Sequence, residues 1–229
     1  MSIAEKAIDV IQSRYDSAEY KKGIESITVP EQKIYGVIDK IHTSAVLEWV
    51  KKLWPETPEA LLIAAAGHDW DRAFEDERDR LEDYPSEGSK PIPEWYDIHK
   101  AMHSANTARI LRRELSDIVP QTMMLDVVYL VLLHEIGGKR KSNDSLSYVP
   151  DNATSSYNLN EAADVLQQAD SLAFFNVLDL YVNWRKPEKV EQKIRYMFDR
   201  IEDPKVKQHI RELKFQDQRA IDIFKKVIK

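Results

Sequence analysis

Residues 57–69 read TPEALLIAAAGHD, an apolar run that closes on a histidine and an aspartate. From Ala60 to Gly67 the side chains are apolar all round, which is typical of a helix buried on every side. We interpret Thr57 as the N-cap of this helix and Pro58 as its first helical position. The pair His68-Asp69 therefore ends a buried helix, so the sequence predicts that two polar side chains lie in the interior.

Apolar residues recur at helical spacing on both sides of this run, and only 6 glycines occur in 229 residues. We therefore predict an all-α fold in which one helical bundle forms a single domain over 1–229. Ser2 and Glu5 have capping-box spacing, and Asn160 can cap a later helix. Residues 71–93 and 139–158 are predicted as mainly loop. The predicted helices span 3–21, from Pro30 to before Pro55, 60–67, 95–115, 121–136 and about 161–184, followed by two amphipathic helices opened by Pro187 and by Asp203-Pro204.

The composition excludes several classes of function. The net charge of −6 argues against a broad nucleic-acid-binding face, which needs clustered lysine and arginine. The absence of cysteine excludes disulfides, thiolate catalysis and cysteine-type metal sites. No signal sequence opens the chain and no apolar run approaches membrane-spanning length. We expect a cytoplasmic protein without a nucleic-acid or membrane partner.

Four of the six histidines lie on apolar helix faces: His42, His68, His103 and His134. Asp170 lies on such a face with Leu166 and Ala173, where an unpaired carboxylate is costly. One such histidine is usually a hydrogen-bonded core residue, and one such aspartate can be a cap or pair with an arginine. Five of them, spread over the helices of one chain, point instead to imidazole and carboxylate groups that converge on a metal site.

The pattern also repeats within the chain. His42 lies within one helix and His68-Asp69 ends the next, and His103 and His134-Glu135 occupy the corresponding places in the two helices that follow. A pseudo-twofold arrangement of these two helix pairs would place two metal ions side by side.

The ordered set of these residues resembles the HD-domain superfamily of metal-dependent phosphohydrolases, in its binuclear branch with four histidine and two aspartate ligands. The resemblance covers about 38–185 and implies an HD-like bundle with helix 3–21 and helices in 187–229 as extensions. It implies that one metal is held by His42, His68 and Asp170. The other would be held by His103 and His134, and Asp69 would bridge both.

The resemblance also implies two divalent transition-metal ions, with iron or manganese preferred and nickel or zinc as alternatives. Such a pair can activate a shared hydroxide toward a phosphate ester, so the implied enzyme is a phosphohydrolase acting on a nucleotide or another small phosphate ester. Its partner would be a small anionic, phosphate-containing substrate. The candidate catalytic residues are Asp69, Arg72 as a cation beside the phosphoryl group, and His99 as a general acid.

Several alternatives stay open. The same ligands occur in diiron oxygenases that cleave a C–C or C–P bond, although Trp70-Asp71-Arg72 stands where those proteins usually have Gly-Lys. A non-catalytic HD-like binding domain is a third possibility. His99 can bind substrate, replace His103 as a ligand or be a partly exposed residue, and Asp71 can hydrogen-bond a ligand histidine or cap a turn. The weaker candidate cations are Lys100, Arg109, Lys139 and Arg140. His209 is predicted to lie at the surface, and Glu135 to support the site. The last apolar residues can form either a homodimer surface or part of the core: Ile221, Ile223, Phe224 and Val227.

Overall fold

A computed structural model describes residues 1–26, 30–74, 86–87, 90–91, 93–135 and 156–228. This part of the chain is all-α, apart from two antiparallel two-residue strands, β1 (Ser86–Glu87) and β2 (Lys90–Pro91). A 3₁₀ turn covers Trp70–Ala73. The helices are α1 Ile3–Asp16, α2 Ala18–Ser26, α3 Pro30–Leu53, α4 Glu59–Gly67, α5 Pro93–Leu115, α6 Gln121–Leu133, α7 Leu159–Asn176, α8 Leu178–Tyr181, α9 Pro187–Arg200, α10 Pro204–Glu212 and α11 Gln218–Val227.

The predicted helices agree with the structure in place and type but not in every boundary. The helix predicted over 3–21 is two helices, because Ser17 adopts an extended conformation between α1 and α2. The helix predicted over 161–184 is α7 followed by α8, with a break at Val177. The last predicted helix is also divided, since α10 ends at Glu212 and Asp217 caps α11 with its side chain.

Two of the predicted caps are wrong. Thr57 does not cap α4, because its hydroxyl donates backward to the main-chain oxygen of Trp54 and Pro58 occupies the N-cap position. Asn160 does not cap α7, because Asn158 accepts the amide hydrogens of that first turn. The capping box of Ser2 and Glu5 is confirmed. The two wrong caps differ from the observed caps by one or two residues, and the helices that they begin lie where the sequence predicts them.

The apolar run of α4 lies at the centre of the molecule. It packs against α1, α3, α6 and α7, so it has neighbours on every side. All its residues from Ala60 to Gly67 are buried except Leu62, which is partly buried. The longest of the described helices, α3, packs along α7, and α9 and α10 also pack on α7. Because α4 is buried, the residues that follow it also begin in the interior of the protein.

Helices α4 and α6 run in the same direction. Residues from their first turns, Glu59 and Thr122 among them, line one cleft of about 630 Å³. Their other ends carry His68 and His134, whose ring centroids are 5.4 Å apart. The repeat noted in the sequence therefore corresponds to two apolar helices that start together and end together.

The C-terminal helix packs on the chain's own core. Ile223 is buried, and Phe224 contacts Phe175 and Phe215 with ring centroids 6.1 Å and 4.8 Å apart. Val227 also packs against the core. Core packing is therefore observed for Ile223, Phe224 and Val227, and a homodimer stays a prediction. Among the described helices, none is long and apolar enough to cross a membrane. The assignment of 1–229 to a single domain stays a prediction.

Candidate metal centre

His68 and His134 end the two apolar helices in the same way. Both are C-cap residues with right-handed helical dihedral angles, φ −58° and ψ −27° for His68 and φ −58° and ψ −29° for His134. Nδ1 of His68 lies 3.0 Å from the main-chain oxygen of Ala65, and Nδ1 of His134 lies 2.6 Å from that of Val131. A carbonyl oxygen only accepts, so Nδ1 carries a hydrogen in both residues, and the neutral form of either imidazole has its lone pair on Nε2.

The first group of potential ligands joins three helices. His42 from α3 and Asp170 from α7 are in contact, with Nε2 of the histidine 3.0 Å from Oδ1 of the aspartate. Nε2 of His68 lies 3.8 Å from the same oxygen. All three side chains are buried, and their ligand atoms lie within 4.8 Å of one another. The packing of α3 along α7 brings together residues that are 128 positions apart.

The second group contains Asp69, His103 and His134, all buried, and its ligand atoms also lie within 4.8 Å of one another. Oδ1 of Asp69 lies 2.8 Å from Nε2 of His103 and 3.7 Å from Nε2 of His134. Oδ2 of the same carboxylate lies 3.5 Å from Nε2 of His68, a member of the first group. Asp69 therefore faces both groups with its two oxygens.

A hydrogen-bond chain orients the imidazole of His103. Its Nδ1 donates to Oδ2 of Asp71 at 2.8 Å, and the hydroxyl of Thr107 donates to Oδ1 of Asp71 at 3.0 Å. Asp71 and Thr107 are both fully buried. Of the two readings of Asp71, the hydrogen bond to a candidate ligand is the one observed. A carboxylate behind a histidine is the usual support of a metal ligand in proteins.

Burial and neighbouring charges shift the pKa values of these groups in different directions. Burial lowers the pKa of His68 to about 4, so this imidazole is neutral near pH 7. Burial also opposes protonation of His103, but Asp71 and Asp69 outweigh it and raise its pKa to about 10. Burial raises the pKa of Asp69, yet Arg72 and the neighbouring imidazoles hold it well below its usual range. The centre thus contains ionised carboxylates beside at least one neutral imidazole.

Two charged residues at the centre were missed by the sequence analysis. Arg200 from α9 has a buried side chain and donates from Nη1 to Oδ2 of Asp170 at 2.8 Å. Asp39 from α3 is buried, and its Oδ1 lies 3.5 Å from Nη1 of Arg72. Burial raises the pKa of Asp39 to about 7. The one signal for Arg200 was its position three residues after Met197 on the apolar edge of an amphipathic helix, which is also typical of a surface arginine.

The cationic residues predicted for the site lie in different parts of the structure. Nη1 of Arg72 lies 2.5 Å from Oδ2 of Asp69, beside both ligand groups. Lys100 donates to the hydroxyl of Tyr196 at 3.0 Å, and Arg109 is exposed. The remaining two candidates, Lys139 and Arg140, lie outside the described residues.

The two remaining histidines are outside both ligand groups. The ring of His99 is stacked on that of His103, with centroids 6.4 Å apart and an interplanar angle of 24°. The ligand group contains His103 and not His99. His209 is partly exposed, in keeping with the surface role predicted for it, and its ring also packs on Trp49 with centroids 5.4 Å apart. Glu135 lies at the edge of the centre, with Oε1 3.9 Å from Nε2 of His134.

The residues present fit metal ions. Nε2 of His68 is a buried nitrogen that has no hydrogen-bond partner among the described residues, although its lone pair faces two carboxylates. Metal–ligand bonds of about 2.0–2.2 Å place ligand atoms no more than about 4.4 Å apart, which is close to the span of each group. Three of the four imidazoles also have their Nδ1 occupied by a hydrogen bond, which leaves Nε2 for a ligand. The two clusters could therefore hold metal ions.

Comparison of the chain with protein-family models, curated proteins and solved structures finds no match. The resemblance to HD-domain proteins therefore stays a prediction that depends on the order of the residues.

Proposed function

We propose that this protein is a metal-dependent phosphohydrolase of the HD type that acts on a nucleotide or another small phosphate ester. Two divalent transition-metal ions, iron or manganese with nickel or zinc as alternatives, would be held by the two ligand groups. Imidazole and carboxylate ligands together favour such ions over magnesium and calcium, which prefer oxygen ligands alone.

The position of Asp69 carries this proposal. One of its oxygens faces His103 and His134, and the other faces His68. A carboxylate in this place can contribute to two ions at once, which suits a binuclear centre better than two separate sites. The neutral, buried Nε2 of His68 beside it supports the same assignment.

Bound ions of this kind polarise a phosphoryl oxygen and lower the pKa of water, which makes phosphate-ester hydrolysis the natural chemistry. The protein's own residues would then position the substrate. Arg72 lies against Asp69 with a partly exposed guanidinium, so it can donate to a phosphoryl oxygen that reaches the centre. His99 is half-buried one helical turn before His103, where it can give a proton to the leaving oxygen.

Metal analysis of paired variants tests the proposal. Asp69→Asn and His134→Ala each remove a ligand atom, whereas His209→Gln changes a histidine outside both groups. Elemental analysis of the purified proteins, followed by phosphate release from a panel of nucleotides and sugar phosphates, measures binding and turnover separately. We expect about two metal ions per chain and turnover in wild type and His209→Gln, and loss of both properties in the other two variants.

Full turnover by metal-free Asp69→Asn would overturn the proposal. Oxygen uptake that depends on an added inositol or phosphonate, without phosphate-ester hydrolysis, would replace it with the oxygenase alternative. Protein that contains well under one metal ion per chain would favour the non-catalytic binding domain.

A further inference from the structure

One face of α9 belongs to the edge of the metal centre, although the sequence predicted this helix as an extension. Lys193, Tyr196 and Arg200 are spaced three and four residues apart, which places them on one side of the helix. Arg200 contacts Asp170, and the hydroxyl of Tyr196 lies 3.5 Å from Oε2 of Glu135. Lys193 lies one turn before Tyr196 on the same side.

Three positive charges surround the ring of Tyr196. Lys100 from α5, Lys193 and Arg200 lie 4.9 Å, 5.3 Å and 5.4 Å from the centroid of that ring. Like charges that lie around one ring repel one another unless negative charge compensates them. Within the described part of the chain, the carboxylates near this cluster are Glu135 and Asp170, and Arg200 already contacts both.

Lys193 is the cation of this cluster that lacks a polar contact. Its ammonium lies 5.8 Å from the ring centroid of Phe174, and the residue as a whole is half-buried. No hydrogen bond or ion pair reaches it from any residue that the structure describes. An ammonium group has three donors, so Lys193 can donate to an anion that reaches it. Burial lowers the pKa of Lys193, and the charges of Arg200 and Arg72 add to that effect. Lys193 therefore adds a positive charge beside Tyr196, whose hydroxyl lies against Glu135 at the edge of the centre.

We propose that Lys193, assisted by Lys100, binds a second anionic group of the substrate beside the phosphoryl group that reacts. This assignment depends on the proposed phosphohydrolase function and narrows its substrate class. Compounds with two phosphoryl groups, such as a nucleoside polyphosphate or a sugar bisphosphate, would bind more tightly than the corresponding monophosphates. Arg72 would contact the reacting phosphoryl group and Lys193 the distal one.

Equilibrium binding of two inorganic anions tests this without any turnover. Pyrophosphate and phosphate are titrated calorimetrically into protein in the presence of saturating manganese, so that the metal sites stay filled. A hydrogen bond between two charged groups contributes about tenfold to hundredfold in affinity. We expect Lys193→Gln to weaken pyrophosphate binding by that factor and to change phosphate binding by less than about twofold.

Two further variants act as controls. Lys189→Gln removes an exposed lysine one turn earlier on the same helix and should bind both anions like wild type. Lys193→Arg keeps the charge and should restore most of the pyrophosphate affinity. Unchanged pyrophosphate binding by Lys193→Gln, or an equal loss in Lys189→Gln, would overturn the assignment.

The result also separates this inference from the proposed function. Wild-type protein that holds manganese but binds neither anion would contradict the phosphohydrolase itself. Wild-type protein that binds phosphate as tightly as pyrophosphate would contradict the role of Lys193 alone.

Discussion

Arg200 contacts one carboxylate oxygen of Asp170, and the neighbouring candidate metal ligands face the other oxygen. Its Nη1 donates to Oδ2 of Asp170 at 2.8 Å, while Oδ1 of that carboxylate faces His42 at 3.0 Å. The other terminal nitrogen, Nη2, donates to the main-chain oxygen of His134 at 2.9 Å. One buried arginine thus connects a member of the first ligand group to the backbone of a member of the second.

Removal of this arginine should cost stability in a way that depends on metal. Arg200→Met leaves Asp170 as a buried charge without its cation, and such a loss typically costs about 3–5 kcal/mol. Manganese would supply positive charge to the same carboxylate, so we expect a smaller loss in manganese-loaded protein. Urea unfolding with and without manganese measures both values. Arg195→Met, which removes an exposed arginine of the same helix, is the control; an equal loss in both metal states would contradict this explanation.

Metal binding should stabilise the fold. A ligand present at a hundred times its dissociation constant contributes about 2.7 kcal/mol. For a chain of this size that corresponds to a rise in melting temperature of about 5–11 °C. Thermal unfolding of chelator-treated protein before and after addition of manganese measures the shift. His209→Gln should keep it and His134→Ala should lose most of it, whereas equal shifts in both variants would place the ion outside the two ligand groups.

The carboxylate of Asp71, which accepts the hydrogen bond from Nδ1 of His103, should control metal affinity. Asp71→Asn weakens the acceptor of the His103 Nδ1 hydrogen and also disturbs the hydrogen bond from Thr107. Changes to such supporting groups typically lower metal affinity about tenfold to hundredfold. Competition with a chromogenic chelator measures the affinity. Asp117→Asn, an exposed aspartate, should have no effect; an unchanged affinity in Asp71→Asn would show that this carboxylate does not orient the ligand.

Two tyrosines near the centre should differ in how the loss of the hydroxyl group changes stability. The hydroxyl of Tyr15 is buried with no hydrogen-bond partner among the described residues, whereas that of Tyr20 donates to Asp39 at 3.4 Å. Tyr15→Phe should therefore leave stability unchanged or raise it by about 1 kcal/mol, and Tyr20→Phe should lower it by about 1 kcal/mol. Midpoints of urea unfolding compare the two. A loss in Tyr15→Phe equal to that in Tyr20→Phe would mean that the Tyr15 hydroxyl has a bonding partner.

Gly67 allows the close packing that precedes His68. A Cβ at this position would lie 2.7 Å from Cδ2 of Leu111 and 3.2 Å from Cδ1 of Ile11. Overpacking of this kind costs about 1–3 kcal/mol, and the better helix propensity of alanine offsets about 1 kcal/mol. We expect Gly67→Ala to destabilise the protein by about 1 kcal/mol in urea unfolding. The same change in a Leu111→Ala background should cost nothing, and an equal cost in both backgrounds would exclude this contact as the cause.

The sequence by itself determined the helical class, the positions of nearly all helices and the identity of the six candidate ligands. Apolar periodicity and the position of a histidine on a helix face are local properties, so they can be read along the chain. Cap residues and helix breaks at Ser17 and Val177 were less predictable, because several nearby residues can satisfy the same amide groups.

Only the tertiary structure decided which groups meet. It directs the two oxygens of Asp69 toward different histidines and brings Arg200 to Asp170 from a helix that the sequence predicted as an extension. It also places Lys193 beside the centre, although the spacing of this lysine along α9 is equally typical of a solvated surface. The physical reason is that a long, flexible cationic side chain is equally compatible with an exposed helix surface and with a buried carboxylate partner. The packing of helices that are distant in the sequence decides between these two environments.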